Sequence, residues 1–143
     1  MNLTSNWILF ALGAAFFAAL TSIFGKLGVA EINSNLATFI RTVVILILIG
    51  AIVSWRQEWQ LPGTIPNSAW LFLTLSGAAT GLSWLCFYRA LQLGDVSQVA
   101  PIDKLSVAFA MLLGAIFLGE SLSWPTIIGG SLIVIGSIVT IAF

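Results

Sequence analysis

The chain lacks histidine altogether and has one cysteine, Cys86, among its 143 residues. A disulfide framework within one chain is therefore impossible, and a histidine- and cysteine-based metal site is excluded. Charge is also scarce, because five basic and five acidic residues give a net charge of zero. Since no basic run or tail is present, nucleic acid is not an expected partner.

Apolar residues dominate the composition. The chain is 59% hydrophobic and 7% charged, whereas soluble domains are about 25% charged. A soluble protein of this size has too small an interior to hide that much apolar surface, so a lipid bilayer is the expected solvent. We predict an all-α integral membrane protein of the inner or plasma membrane, with no metal and no cofactor. Because the N-terminus lacks a basic region, we expect no cleaved signal peptide.

The sequence contains five apolar segments, each close in length to the about 20 residues that a membrane-spanning helix needs. We predict one domain, residues 1–143, with helices at about residues 7–30, 36–55, 69–92, 97–119 and 124–143. Several tryptophans lie at the ends of these spans, where interfacial aromatic residues belong: Trp55, Trp59, Trp70 and Trp124.

Four charged residues lie inside the spans or at their edges: Arg41 in the second, Arg89 in the third, and Asp103 and Lys104 in the fourth. Alternate crossing of the bilayer places all four in the same third of its thickness. One interpretation is snorkelling, in which the long stems of Arg41 and Lys104 reach the interface. The short Asp103 fits that interpretation less well, since a charge facing lipid costs about 2.5–3.5 kcal/mol.

We therefore expect these charges to face inward. Asp103 is predicted to pair with Arg41 or Arg89, or to line an aqueous cavity. Because adjacent residues are about 100° apart on a helix, Asp103 and Lys104 are expected to contact different neighbours.

Pro101 predicts a break in the fourth span. It lies beyond the first turn, so it removes one backbone hydrogen bond and frees the carbonyl of Ser97. Freed backbone is tolerated at membrane depth only where protein or water satisfies it. A broken helix with charges beside the break is typical of transporter binding sites, although a harmless kink is the alternative.

Small and aromatic residues share one face of the third span. Trp84 and Tyr88 offer ring faces to a substrate or a cation, and Gly77 and Gly81 allow close approach of another helix. Ordinary packing explains the same pattern. We assign helix packing also to Ala110, Gly114, Gly129 and Gly130. The fifth span has many small residues and no charge, so we expect it to be a scaffold or a subunit-contact helix.

The stretch from Phe87 to Ser123, with Phe-Tyr-Arg-Ala-Leu-Gln-Leu-Gly-Asp-Val-Ser, Ala-Pro-Ile-Asp-Lys-Leu-Ser and Phe-Leu-Gly-Glu-Ser-Leu-Ser, resembles the EamA-type drug/metabolite transporters. The first span, with Ala-Ala-Leu-Thr-Ser-Ile-Phe-Gly-Lys-Leu-Gly, is also similar to that family. Most members resemble two such units fused in inverted orientation. This chain resembles the single five-helix form, one half of the transporter fold. The resemblance implies transport of an amino acid or another small metabolite.

Five helices are few for enclosing a solute path with two gates. Alternating access requires two halves related by inverted symmetry, so we expect a homodimer, antiparallel if the chain inserts in both orientations. The loop-proximal basic residues are Lys26 and Arg89 on one side and Arg56 on the other. Such a near-even balance is what dual insertion requires. Adding Arg41 and Lys104 favours the side of Lys26 and Arg89 as cytoplasmic, so a single orientation with the N-terminus outside and the C-terminus inside stays open as the alternative.

The leading hypothesis is a secondary active transporter that exports a small polar metabolite, with a dimer providing alternating access. Lys104, Asp103, Arg41, Trp84, Tyr88 and Arg89 would bind the substrate or couple its movement to protons. The alternative is a non-transporting membrane subunit that pairs with an inverted partner chain. An enzyme is disfavoured because no nucleophile–base, metal or paired-carboxylate motif is present, and a channel because no ring of like charges is evident.

Overall fold

The structure is a computed structural model that describes residues 6–142. In that part of the chain all regular elements are helical, which confirms the predicted all-α class. The α-helices are α1 (Asn6–Gly28), α2 (Ser34–Trp55), α3 (Asn67–Leu93), α4 (Val96–Asp103), α5 (Leu105–Phe117) and α6 (Trp124–Ala142). A short 3₁₀ helix, Pro62–Thr64, lies between α2 and α3.

Five helical spans are long and apolar enough to cross a bilayer. They correspond to α1, α2, α3, the consecutive α4 and α5, and α6, with mean hydropathies from 1.4 to 2.6. Large apolar side chains remain exposed along each of them, including Phe10, Leu46, Phe72, Phe109 and Leu132. Lipid accepts such surfaces without the penalty that water imposes. The chain is a multi-pass membrane protein, as the composition predicted.

Local sequence explains where several helices begin and end. The segment after α2 turns at Gln57, which has a positive φ of 55°, and Arg56 pairs there with Glu58 at 2.9 Å. Two prolines, Pro62 and Pro66, then keep the chain from forming a continuous helix before α3. Gly119 follows α5 with a φ of 67°, a left-handed conformation that glycine adopts without strain.

The polypeptide divides into two compact units by its internal contacts. The first unit comprises residues up to Ile23 together with those from Leu93 onward. Within it, α6 packs against both α4 and α5. Asp95 occupies the N-cap position of α4, where its carbonyl accepts from the N–H groups of Gln98 and Val99 at 3.0 and 2.9 Å. Its side chain makes no capping hydrogen bond.

The second unit, Phe24–Gln92, contains the end of α1, all of α2 and most of α3. Val29 and Leu91 are fully buried at its core, and Tyr88 is 5% exposed. Leu91 and Tyr88 lie against Gly25, where an added Cβ would meet both side chains at 3.3 Å. Because Gly25 has no side chain, the end of α1 approaches α3 closely enough to seal this core.

Candidate functional site

The fourth span is broken at Lys104. Helix α4 ends at Asp103 and α5 begins at Leu105, with Lys104 between them at φ −70° and ψ −10°. The Lys104 N–H donates to the Pro101 carbonyl at 3.1 Å, and the Val107 N–H donates to the Lys104 carbonyl at 3.0 Å. Both bonds span three residues, the tighter 3₁₀ spacing. The helix is therefore interrupted as the proline predicted, but three residues beyond it.

Ser137 on α6 contributes to this break. Its Oγ lies 2.7 Å from the Pro101 carbonyl oxygen and 2.8 Å from the Ile133 carbonyl oxygen, and it donates its proton to either. When Ser137 donates to it, the Pro101 oxygen accepts from both Ser137 and the Lys104 N–H, and these two bonds occupy both of its lone pairs. In that arrangement no lone pair is left for the N–H of Leu105, four residues after Pro101, which favours a break at Lys104.

The side chains beside the break pair with each other. Lys104 Nζ lies 3.1 Å from Asp103 Oδ2, and the two side chains are 53% and 36% exposed. The expectation that they contact different neighbours is wrong. It assumed the 100° separation of a continuous helix, whereas the turn at Lys104 changes the direction of its side chain. Asp103 and the arginines Arg41 and Arg89 belong to different units, so their expected pairing stays a prediction.

Arg41 on α2 forms a second group of polar and aromatic side chains with α3. Its guanidinium carbon lies 3.8 Å from the centroid of the Trp84 ring and 5.3 Å from that of Tyr88. Trp84 and Tyr88 are one helical turn apart, so they present adjacent ring faces to the cation. The predicted cation-binding face thus accepts a cation from the same chain.

The guanidinium of Arg41 has donors without acceptors. Its Nη1 is buried and has no hydrogen-bond partner. Within residues 6–142, no hydrogen bond and no ion pair satisfies the other guanidinium nitrogens either. An arginine carries five N–H donors, and buried donors are almost always paired. Within the described chain this side chain is therefore held by aromatic rings, and its buried Nη1 lacks an acceptor.

Arg89 has a different environment. It is exposed on α3, and its Nη1 donates to Gln92 Oε1 at 2.7 Å. Gln92 in turn donates to the carbonyls of Val29 and Ile32 at 3.2 and 3.0 Å. Lys26 Nζ donates to the Leu91 carbonyl at 2.8 Å. These bonds tie the end of α3 to the last turn of α1 and to the segment that follows it. The roles of Gln92 and Lys26 were not predicted from the sequence.

The residues assigned to helix packing separate into two groups. An added Cβ on Gly130 would lie 2.7 Å from the Met111 sulfur, and one on Gly114 would lie 3.0 Å from Glu120 Oε2. These glycines allow close contacts inside the first unit. At Gly77, Gly81 and Gly129 an added Cβ would meet nothing within 4 Å, and Ala110 is exposed. For these four residues a packing role requires a neighbour from outside the described chain.

The structure thus assembles two candidate groups, one in each unit. We name the first the break group: Pro101, Asp103, Lys104 and Ser137. The second is the arginine cradle: Arg41, Trp84 and Tyr88. Every residue of the two groups except Ser137 was singled out from the sequence. Ser137 lies in a span rich in small residues, and no sequence signal distinguishes it.

Comparison with known proteins identifies the family. A model of the EamA-like transporter family matches residues 5–142. The chain belongs to the EamA-like transporter family. The resemblance found in the motifs after Phe87 is therefore confirmed. No solved structure matches the chain.

A relative from Sinorhizobium sp is of the same size. It is described as an uncharacterized transporter in the cobO 3' region, and it is 50% identical over 141 residues. The match covers 99% of this chain and 100% of the relative. The chain thus matches, over its whole length, a protein that is described as a transporter.

Within residues 6–142 there is no group of three or more histidine, cysteine or acidic residues suited to hold a metal ion. By its family the EamA-like chain is a transporter.

Proposed function

We propose that this EamA-like chain is a secondary active transporter that works by alternating access as a dimer. The observation that carries the proposal is the interruption of a membrane-spanning helix at Lys104, beside the ion pair with Asp103. Irregular backbone at membrane depth is characteristic of transporter sites, where it exposes polar groups to a substrate. The exposure of both side chains supports their contact with a solute path.

The dimer is proposed because one unit is incomplete. Each of the five spans has at most 11% of its most apolar window buried inside the chain. A carrier must surround its solute path within the bilayer and close that path toward one side of the membrane in each state, and this requires more helix surface than one chain supplies. A second copy in inverted orientation provides two equivalent halves around one pathway.

We propose that the transported solute is a small polar metabolite and that the direction is export from the cell across the inner or plasma membrane. Lys104 and Asp103 would exchange their mutual ion pair for contacts with the solute or a coupling proton. An ion pair that is already half exposed is weak, so its replacement costs little. Arg41, Trp84, Tyr88 and Arg89 are the further candidates for solute contact.

The experiment compares metabolites released by cells that express the native chain or Lys104→Ala. The native chain is expected to raise the extracellular level of at least one small polar metabolite, measured by mass spectrometry of the medium. Lys104→Ala should abolish the increase at equal membrane abundance, whereas Arg56→Ala, which changes an exposed loop arginine, should retain it. Unchanged release from Lys104→Ala would remove the break group from the mechanism.

The alternative function is a non-transporting subunit that pairs with an inverted partner chain. The open helix faces support it as well, because a different chain can cover them. Purification of the chain from the membranes of its native cells distinguishes the subunit from the transporter. A complex of constant stoichiometry with a second, inverted protein would favour the subunit, and a complex of identical chains favours the transporter.

A further inference from the structure

The arginine cradle has the geometry of an anion-binding site. Its cation is fixed by Trp84, 3.8 Å from the guanidinium carbon, with Tyr88 at 5.3 Å. A cation over a ring face keeps its charge, because the ring offers a partial negative surface and no formal counter-charge. The two rings therefore fix the position of the Arg41 guanidinium without neutralising its charge.

The donors of Arg41 add a second, independent observation. Nη1 is buried without a partner, and the other guanidinium nitrogens lack a partner among the described residues. Each of the other long basic side chains of this unit has a polar partner: Lys26 bonds the Leu91 carbonyl, Arg56 pairs with Glu58, and Arg89 bonds Gln92. Arg41 differs from all three, although it lies farthest inside a spanning helix.

We infer that Arg41 binds the carboxylate of the transported solute, with Trp84 and Tyr88 as positioning residues that hold the guanidinium in place. This inference rests on the proposed function and names the class of its substrate. A planar guanidinium matches a carboxylate with two parallel hydrogen bonds. One cation is neutralised by one monoanion, whereas a dianion would leave a net charge in the low dielectric of the bilayer.

A lipid phosphodiester offers the same chemistry, since it is also a monoanion with two free oxygens. The two sources differ in where they come from: a solute carboxylate enters from water, and a phosphodiester belongs to the bilayer. In a detergent without phosphate, such as dodecyl maltoside, no lipid phosphodiester is present. Added anions can then bind Arg41 without competition from lipid.

The experiment observes the arginine side chains directly. The chain contains three arginines, Arg41, Arg56 and Arg89, so guanidino-¹⁵N labelling gives three sets of signals, each assigned by an arginine-to-lysine substitution. The full-length protein in dodecyl maltoside is titrated with acetate, butyrate and benzoate, and in parallel with acetamide, butyramide and benzamide. Separate titrations with dimethyl phosphate and phosphatidylglycerol test whether Arg41 binds a lipid phosphodiester.

The expected result is a saturable shift of the Arg41 signals with at least one carboxylate, with affinity at least about tenfold above that for its amide. Signals of Arg56, an exposed arginine of the loop, should follow ionic strength without saturation. Trp84→Leu should weaken the response of Arg41, and Trp84→Phe, which keeps a ring face, should restore most of it. Loss of packing alone would not produce that rescue together with selectivity for carboxylate over amide.

Two results would overturn the inference. Arg41 signals that respond to none of the carboxylates would remove the site, and signals that respond to dimethyl phosphate or phosphatidylglycerol alone would assign it to a lipid headgroup. Both are independent of the metabolite-release experiment. Release without a response of Arg41 leaves the transporter and rejects this site, whereas a carboxylate response without release keeps the site and rejects the transporter.

Discussion

The hydroxyl of Ser137 lies 2.7 Å from the carbonyl oxygen of Pro101, across 36 positions of the chain. This bond joins the uncharged helix α6 to the break in the fourth span. Ser137 is 3% exposed, so its bond is shielded from competing water. The break is therefore supported by tertiary structure in addition to the proline itself.

Ser137→Ala is expected to weaken this support. The substitution removes a buried donor from the Pro101 oxygen, which should lower the free energy of unfolding by about 0.5–1 kcal/mol. Denaturation in mixed detergent micelles, followed by circular dichroism, measures the change. Ser131→Ala is the matched control, because Ser131 is exposed on the same helix. Equal losses in the two variants would contradict a specific role for the bond.

Alanine substitutions at the neighbouring residues Gly130 and Gly129 are expected to have opposite effects on the free energy of unfolding. A Cβ on Gly130 would lie 2.7 Å from the Met111 sulfur, whereas one on Gly129 would meet nothing within 4 Å. Gly130→Ala should cost about 1 kcal/mol, because Met111 has to move. Gly129→Ala should be neutral or stabilising, since alanine is the better helix former. Unfolding free energies in micelles test both.

A double substitution identifies the cause of the cost at Gly130. Met111→Ala removes the side chain that the new methyl group meets, so Gly130→Ala should cost less in that background than in the native one. An unchanged cost in the Met111→Ala background would mean that another contact, and not Met111, limits the space at Gly130.

Removing Arg41 is expected to separate stability from transport. Its guanidinium has no acceptor among the described residues, so Arg41→Met loses a cation–π contact and also loses the desolvation cost of a charge. The thermal midpoint should therefore stay the same or rise, while metabolite release is lost. Lys26→Met is the contrasting variant and should lower the midpoint, because it breaks the bond to the Leu91 carbonyl. A large loss of stability in Arg41→Met would indicate a structural role for this arginine.

Sequence predicts those features that depend on neighbouring residues. The five spans follow from runs of apolar residues, the break follows from Pro101, and the shared face of Trp84 and Tyr88 follows from their spacing of four. The Asp103–Lys104 pair was mispredicted because the geometry of a continuous helix was applied to a residue at the break.

Contacts between distant segments were not readable from the sequence. Gln92 reaches the carbonyls of Val29 and Ile32 across 63 and 60 positions, and Ser137 reaches Pro101 across 36. A glutamine or a serine has no periodic signal that names its partner, because the partner is a backbone carbonyl present at every residue. Only the packing of the helices determines which carbonyl comes within reach.

Orientation in the membrane is the remaining test of the proposed antiparallel dimer. The segments on either side of α2 lie on opposite faces of the bilayer, so Ala30→Cys and Gly63→Cys report the two faces once Cys86 is replaced by alanine. With both orientations present in equal amounts, an impermeant maleimide should label each cysteine in about half of the molecules in intact cells. The loop-proximal basic residues, Lys26 and Arg89 on one face and Arg56 on the other, are close to the even balance that dual insertion requires. Labelling of one position in all molecules and of the other in none would exclude the antiparallel homodimer. The inverted half of the pathway would then have to come from a different chain, which favours the alternative of a subunit with an inverted partner.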